Sequence, residues 1–495
     1  MTANIRKGMA QFSYRTNIRP QRRATWNGNF TWRGFFDNLL ILVAAAYLLL
    51  STAQAWDNRR TSLVAPVILA FNGIAALFGF RIAVAKSYLL YGVFFIFSFL
   101  FLSVAPLQQI GSDFDPIFYN ASLLLTSCAL CAFMTAAALI FVVCRTFSVP
   151  VQRNEGFLNK SLAATSDPNY ALLSLLCIAA SAGVVAYLGS SLFAANREVY
   201  AAGLESSGKQ ANILINAVFR PLALVAPTIG FCVAFIRKNR TWLIFFALLV
   251  LLGLVVNNPL VSARFRSSTL MVFCVLTLFG PQHVRLFVMI YLAGLLASPI
   301  FGSLFRYVNA VSEERTFSRF FVSYDFSGID IFCYAIEWAN VKGFEYGSNI
   351  LGALLFFVPR ALWESKGKTV GEIMHDYIFV LKGFGTDNVS APPPAEGYFS
   401  FGIAGAIVLS IAVVWVIDRI ERRGFEAQVA SPMYFILCLS PMLCMILLRG
   451  PFQVGVSEWA FHSATVLLSS AVLLVRSPRR GRRPRKLESA ALAPE

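Results

Sequence analysis

The amino-acid sequence predicts an all-α polytopic membrane protein of about twelve transmembrane helices with one large external loop. Hydrophobic residues make up 57% of the chain and charged residues only 14%. The mean hydropathy of +0.65 is above that of soluble globular proteins. Continuous apolar runs recur along the sequence, and each can cross a bilayer core of about 30 Å as a helix. The ionisable residues collect in one long interruption, 303–397.

The apolar runs define the order of the elements. A basic tail at 1–35 precedes nine spans within 36–302, the loop occupies 303–397, and three spans within 398–476 precede a basic tail at 477–495. The predicted spans are 36–56, 64–80, 88–108, 118–144, 170–194, 212–236, 240–257, 266–280, 285–302, 398–418, 431–448 and 456–476. These runs are continuous rather than alternating, which indicates helices and not barrel strands.

The distribution of Lys and Arg predicts the orientation. An even number of spans places both termini on one side, and we count 26 Lys/Arg there against 7 in the short loops opposite. Because short cytoplasmic loops are enriched in Lys and Arg, both tails are expected in the cytoplasm and the loop 303–397 outside. The net charge of +17 is then a topology signal with some attraction to anionic lipids. We expect no nucleic-acid partner.

The large loop is the richest polar segment of the chain. It holds eight Lys/Arg, eleven Asp/Glu and one of the three histidines. Within it, 349–363 is apolar but too short to cross a bilayer, so we predict a short re-entrant or interfacial helix that ends at Pro359 and Arg360. Cys333 is the only one of nine cysteines in this loop, so no disulfide can form within it.

The loop also supplies the candidate catalytic residues. Arg360 and Lys366 are followed by acidic residues and His375, and a run of prolines then leads to Glu396 at the start of a span. Cations beside a membrane can bind a diphosphate leaving group, and a carboxylate or imidazole can take a proton from an attacking hydroxyl. Glu396 is the first candidate for this base because the stiff prolines would fix its position, and His375 is the second. A solvated loop face could show the same mixture of residues.

Further cations lie in or beside predicted spans. A mid-span arginine such as Arg220 costs roughly 2.5–3.5 kcal/mol, so it normally faces a polar cavity or a partner. A structural ion pair, or snorkelling to the interface, is the alternative. Arg264 and Arg266 follow an Asn-Asn-Pro turn and suit bidentate phosphate binding, or else they anchor in lipid headgroups. Arg449 begins an external connection, and His462 lies two turns into the last span.

Several short motifs occur in a fixed order along the second half of the chain. They are Asn257-Asn258-Pro259 with Arg264, then 343–347 leading through 356–363 to Lys366, then Glu396-Gly397-Tyr398 with Phe401, Gly402 and Gly405, and finally Arg449-Gly450. In this order they resemble the oligosaccharide repeat-unit polymerases (O-antigen polymerase, Wzy type). The resemblance covers about 240–455 and the many-span layout upstream. One departure is Lys366-Gly367, where the family commonly has Lys-Pro.

The resemblance implies a glycosyltransferase at the outer face of a bacterial inner membrane. It would move a growing glycan from one undecaprenyl diphosphate to the non-reducing end of a new lipid-linked repeat unit. Its partners would be undecaprenyl-diphosphate-linked oligosaccharide, membrane lipids, and a chain-length regulator and a flippase of the same pathway. No nucleotide sugar and no metal or other cofactor are expected. In agreement, the external loop has no DxD motif and the chain has no His/Cys set with metal-ligand spacing.

The roles that we expect follow from this chemistry. The base that deprotonates the acceptor hydroxyl would be Glu396, or His375 if not, with His462 and Asp325 as the remaining candidates. The diphosphate- and substrate-binding residues would be Arg220, Arg264, Arg266, Arg360, Lys366, Tyr398 and Arg449. Two alternatives stay open: a ligase that passes the same glycan to lipid A core or protein, and a flippase or transporter for the lipid-linked oligosaccharide. The single dominant loop argues against the flippase, and so does the lack of an internal repeat that would divide the sequence into two related halves.

Overall fold

The structure is a computed structural model. It describes residues 32–58, 62–147, 165–193, 214–258, 264–281, 283–305, 320–322, 326–360, 362–382, 389, 391–427 and 431–474. The chain forms two units, Met1–Ala44 and Ala45–Glu495. The described part of the first unit is the beginning of one helix, and all the other elements below belong to the second.

The described residues are helical and include no strand. The helices are α1 Trp32–Asp57, α2 Val64–Lys86, α3 Leu89–Gly111, α4 Ala121–Phe147, α5 Asp167–Leu188, α6 Ile215–Ile236, α7 Arg240–Asn257, α8 Arg264–Phe279, α9 Val284–Phe305, α10 Ile329–Lys342, α11 Ser348–Leu354, α12 Val370–Lys382, α13 Pro393–Glu426, α14 Pro432–Arg449 and α15 Phe452–Leu474.

The membrane-protein class is confirmed. Within the described ranges, nine helices are long and apolar enough to cross a membrane, namely α1 to α7, α13 and α14. The three other predicted spans, 266–280, 285–302 and 456–476, fall on α8, α9 and α15. Every predicted apolar run therefore falls on a helix, whereas the number of twelve spans and the orientation stay predictions.

Helix α3 lies at the centre of the second unit. All its residues from Leu89 to Ile110 are buried, and it packs against α2, α4, α9, α13 and α14. A helix that is apolar on every side is stable only where protein or lipid covers it fully. By contrast, α2 exposes Phe71 and Phe78, as expected of a helix with one face toward lipid.

Two π-helical turns interrupt the described helices. One is Leu100–Val104 within α3, and the other, Ile215–Phe219, begins α6. A π-helical turn adds a residue to a helical turn and frequently lies at a functional site. Arg220 directly follows the second turn.

The segment 303–397 contains more helix than predicted. The expected short apolar helix is present as α11, but it ends at Leu354, so its predicted end at Pro359 and Arg360 is wrong. The helices α10 and α12 were not predicted. The position of α11 relative to a membrane stays a prediction.

Helix α13 reverses direction near its beginning. Phe401 (φ −144°) and Gly402 (φ +66°) leave the helical conformation. A Cβ on Gly405 would lie 2.1 Å from the carbonyl oxygen of Gly397, whereas residues eight apart in a straight helix are about 12 Å apart. The segment 393–400 therefore folds back against the rest of α13. The regular part of this span starts after Gly402 and not at 398 as predicted.

The far end of α13 is tied to α3 and α4 through two buried carboxylates. Asp418 accepts hydrogen bonds from the Tyr91 hydroxyl (3.0 Å) and from Arg145 Nη1 (3.4 Å). Glu421 accepts from the backbone N–H groups of Leu89 (2.9 Å) and Leu90. An anion at a helix N-terminus satisfies N–H groups that have no intrahelical acceptor. This cluster fixes the end of α13 that is remote from the loop.

Candidate functional site

The carboxylate of Glu396 is buried where three helices meet. Oε2 accepts from Asn349 Nδ2 at 2.9 Å and from the Val370 N–H at 3.4 Å, and Oε1 accepts from the Phe452 N–H at 3.2 Å. Val370 and Phe452 are the first residues of α12 and α15. Only 1% of Glu396 is exposed. Glu396 therefore joins the beginnings of α12 and α15 to the folded-back segment of α13.

Asn349 and Ser400 extend this contact, and sequence reasoning missed both. The Ser400 hydroxyl lies 2.6 Å from Asn349 Oδ1 and 2.9 Å from the Glu396 carbonyl oxygen, and its single hydrogen can be donated to either. Both side chains are buried. No sequence signal marks them, because the contact depends on chain segments about 50 residues apart. They form a continuous polar network with the carboxylate.

Backbone hydrogen bonds join the same two segments. The N–H groups of Glu345 and Tyr346 donate to the carbonyl oxygens of Phe399 and Ser400, each at 3.0 Å. Gly347 lies close enough to Phe401 that a Cβ would be 2.9 Å from the ring, and its φ of +82° favours glycine. The segment 343–347 thus packs directly on the reversal in α13.

Lys366 donates hydrogen bonds to three backbone carbonyls beyond the end of α11. Its Nζ lies 3.1 Å from the Leu355 oxygen and 3.0 Å from the oxygens of Phe356 and Val358. An ammonium has three donors, so these carbonyls account for all of them. Burial lowers the pKa of Lys366 below its usual 10.5, and the Arg360 guanidinium lowers it further. Binding of a diphosphate by Lys366 would require it to release a carbonyl, and this role stays a prediction.

Arg360 is the more accessible of the two predicted cations. Its Nη1 donates to the Lys366 carbonyl oxygen at 2.9 Å, and its Nη2 lies 3.5 Å from Glu372 Oε2. Both side chains of this ion pair are about half exposed, at 49% each. Such pairs contribute about 0–1 kcal/mol. An anionic ligand can therefore replace Glu372 at little cost.

Glu372 also stabilises the beginning of α12. The Thr369 N–H donates to Glu372 Oε2 and the Glu372 N–H donates to Thr369 Oγ1, both at 3.2 Å. This reciprocal pair is a capping box, which satisfies two N–H groups at a helix start. The Thr-x-x-Glu spacing is visible in the sequence and could have predicted α12. His375 follows on the same helix and is half-buried.

Tyr398 and Glu396 lie on the same segment of α13 but contact different elements. The Tyr398 ring packs edge-on against Phe332 of α10 (centroids 6.0 Å apart) and against Phe344 (6.1 Å). Only 8% of Tyr398 is exposed. Its described contacts are thus aromatic packing, and its predicted role in substrate binding is untested.

Two of the predicted arginines lie beside π-helical turns. Arg449 is the last residue of α14, and its guanidinium carbon lies 5.6 Å from the ring centroid of Phe101 in the π turn of α3. Arg220 is buried and donates from Nη1 to Asn216 Oδ1 at 2.7 Å. Asn216 belongs to the π turn that precedes Arg220. The turn thus supplies a polar partner within an apolar helix, as a buried arginine requires.

The other candidates are placed only in part. Arg264 and Arg266 begin α8, but their side chains lie outside the described residues, as does Asp325. His462 is buried in α15, where its Nδ1 lies 2.8 Å from the Glu458 carbonyl oxygen and 3.3 Å from Glu458 Oε2. The structure thus brings Arg360, Lys366 and Glu396 into one neighbourhood around α11 and α12.

Gly367, where the sequence departs from the Lys-Pro pattern, is buried against α11. A Cβ at this position would lie 2.3 Å from the backbone carbon and oxygen of Ser348. Backbone atoms cannot move aside as a flexible side chain can, so neither alanine nor proline fits here. Glycine in place of the proline of the Lys-Pro pattern therefore coincides with a close contact between position 367 and the beginning of α11.

No protein-family model, curated protein or solved structure matches this chain.

Proposed function

We propose that this protein polymerises undecaprenyl-diphosphate-linked oligosaccharide repeat units at the outer face of a bacterial inner membrane. One observation carries the proposal: motif segments that are distant in the sequence contact one another. The segment 343–347 hydrogen-bonds to 399–400, and the N–H of Phe452, just after Arg449-Gly450, donates to Glu396. Contacts among all these segments are expected if they form one site, because residues of a catalytic constellation must be held in fixed geometry.

The proposed reaction is a transfer between two lipid-linked glycans. The acceptor hydroxyl attacks the anomeric carbon of the donor glycan, and the bond from that carbon to the diphosphate oxygen breaks as the new glycosidic bond forms. The lipid diphosphate leaves with added negative charge, and the hydroxyl proton passes to a base, Glu396 or His375. Positioned cations stabilise the developing charge. Among the proposed cations whose side chains the structure describes, Arg360 is the best placed for this, because its ion pair with Glu372 is half exposed.

The glycan phenotype of a deletion strain tests the proposal. We expect a single repeat unit on the lipid carrier or on the lipid A core, with long chains restored by a plasmid copy of the wild-type gene. A core that carries no repeat unit at all would indicate the ligase instead. Repeat units that remain on the inner leaflet, inaccessible to periplasmic enzymes, would indicate the flippase. Either of these results would refute the polymerase.

A further inference from the structure

The environment of Glu396 separates two roles that the sequence could not distinguish. A general base must come within about 2.6–3.2 Å of the hydroxyl whose proton it takes. Glu396 is 1% exposed, and both its oxygens already accept hydrogen bonds. The two chain segments that carry these donors also pack closely on each other, since a Cβ on Gly371 would lie 2.9 Å from Pro451 Cγ. A sugar hydroxyl could reach this carboxylate only if the beginnings of α12 and α15 moved apart.

The donors to Glu396 indicate a different role. The N–H groups of Val370 and Phe452 belong to the first residues of two helices, which have no intrahelical acceptor. A negative charge at a helix N-terminus is also favoured by the helix dipole. Glu396 accepts from the first N–H group of each helix and places its carboxylate at both N-termini. Its carboxylate thereby fixes α12 and α15 relative to the folded-back segment of α13.

Asn349 sets the direction of this carboxylate. Its Nδ2 donates to Glu396 Oε2 at 2.9 Å, and its Oδ1 lies 2.6 Å from the Ser400 hydroxyl. Because Ser400 can donate to Oδ1, the amide is held with its NH₂ group toward Glu396. Asn349 belongs to α11, which precedes Arg360 in the chain. Its hydrogen bond therefore also connects α11 to Glu396.

We infer that Asn349, Ser400 and Glu396 form a buried junction that positions α11 and α12, and that Glu396 is a positioning residue rather than the proton acceptor. The assignment rests on the proposed function for its catalytic part. In the reaction above, the proton of the acceptor hydroxyl then passes to the imidazole of His375, which α12 carries. The junction acts on the reaction by holding α12, with His375, at a fixed distance from Arg360.

A double-mutant cycle on stability tests the junction without any assay of activity. We expect Asn349→Ala and Glu396→Gln each to lower the midpoint of thermal unfolding of the purified full-length protein in detergent. The double variant should fall by less than the sum, because the hydrogen bond from Asn349 to the carboxylate is charge-assisted and Glu396→Gln weakens it. The control is Glu364→Gln, which makes the same change at an exposed position within 303–397. It should unfold like wild type. Additive effects, or a wild-type midpoint for Glu396→Gln, would overturn the junction.

Ser400→Ala provides a second cycle in case Glu396→Gln does not reach the membrane. This variant leaves the carboxylate intact and removes only the hydroxyl beside Asn349 Oδ1. We expect its effect on the unfolding midpoint to be smaller when Asn349 is already alanine, because the hydroxyl then keeps only its hydrogen bond to the Glu396 carbonyl oxygen. Equal effects in the two backgrounds would contradict the proposed orientation of the amide.

The pH profile of polymerisation tests the catalytic part. With two lipid-linked repeat units as substrates, we expect Glu396→Gln to keep activity within roughly tenfold of wild type per folded enzyme, and to keep the acidic limb of the profile. His375→Ala should lose about 10²–10⁴-fold, the usual contribution of a general base. A loss of that size in Glu396→Gln at a wild-type unfolding midpoint, with no acidic limb, would make Glu396 the base. If wild type forms no polymer, the proposed function fails, while the unfolding cycles still decide the junction.

Discussion

The guanidinium of Arg145 lies 3.4 Å from the carboxylate of Asp418, and both side chains are buried. The same guanidinium stacks over the Tyr88 ring at 4.3 Å. This pair joins α4 to α13 at the end of α13 remote from Glu396. Removal of one member of a buried pair leaves the other charge buried, which typically costs about 3–5 kcal/mol. Arg422, whose Nε lies 2.6 Å from Asp418 Oδ2, offsets part of that cost.

We therefore expect Arg145→Ala to lower the free energy of unfolding by about 3 kcal/mol. Thermal unfolding of the purified protein measures the change. Arg419→Ala is the matched control, because Arg419 is exposed and contacts only the Trp415 ring among the interactions described for it. Equal unfolding of the two variants would show that the buried pair contributes nothing beyond a surface charge.

Arg360→Ala should abolish long glycan chains while the protein stays in the membrane. A hydrogen bond from a charged donor to a diphosphate contributes about 1.5–3 kcal/mol, or roughly 10- to 150-fold in rate. Lys368→Ala removes an exposed cation nearby that pairs with Asp376, and this control should polymerise normally. Gel electrophoresis of the glycan measures the chain length that each variant produces. If Arg360→Lys has full activity, a positive charge alone suffices and bidentate binding is wrong. If Arg360→Ala forms glycan chains of wild-type length, Arg360 has no part in the reaction.

The positive charges predict that α10 to α12 face the periplasm. Alkaline phosphatase, which folds only outside the cytoplasm, should be active when fused after Lys342 and inactive when fused after Arg423. Immunoblots of both fusions give the expression control. The reverse pattern of activity would place the site on the cytoplasmic face and overturn the proposed reaction at the outer face.

Polymerisation by the purified protein should continue in excess EDTA, because we expect the arginines to stabilise the leaving diphosphate. The assay contains two lipid-linked repeat units and follows chain length. An EDTA-sensitive reaction that Mg²⁺ or Mn²⁺ restores would contradict this. Glu372 and Asp376 would then be candidate ligands.

Gly367→Ala should destabilise the protein, because its Cβ would lie 2.3 Å from the backbone of Ser348. Overpacking of this kind typically costs about 1–3 kcal/mol. Gly328→Ala is the control, because apart from the adjoining residues no atom of the described part of the chain lies within 4 Å of the added carbon. Unfolding midpoints compare the two variants, and an unchanged midpoint for Gly367→Ala would mean that α11 can shift to admit a side chain.

The long helices could be predicted from the sequence because membrane helices are specified by local apolar length. The reversal at Gly402 could not, since the apolar run continues through it, and the change of direction shows only in the backbone angles of Phe401 and Gly402 and in the contact of Gly397 with Gly405. Two helices within 303–397, α10 and α12, were not predicted from the sequence. The capping box of Thr369 and Glu372 was visible in the sequence. A start signal for α10 was visible as well, because Ser327-Gly328-Ile329-Asp330 places an acidic residue in its first turn.

The candidate site was predictable residue by residue but not as an arrangement. Glu396 was identified from its place beyond the prolines, yet its contacts come from residues 26, 47 and 56 positions away in the sequence. Lys366 was identified as a cation beside membrane, and nothing local indicates that three carbonyls surround its ammonium. Charge and position can be read from one chain, but the partners of a buried polar group depend on the tertiary fold.

The hydrogen bond from Phe452 to Glu396 also bears on the order of assembly during biosynthesis. Because translation proceeds from the N-terminus, Glu396 leaves the ribosome 56 residues before Phe452. Until α14 and α15 have been inserted, the carboxylate lacks this donor and the folded-back segment of α13 lacks one of its attachments. The contacts of Glu396 are thus completed only after Phe452 has been synthesised, so an arrest of translation between 396 and 452 would leave the folded-back segment of α13 without its attachment to α15.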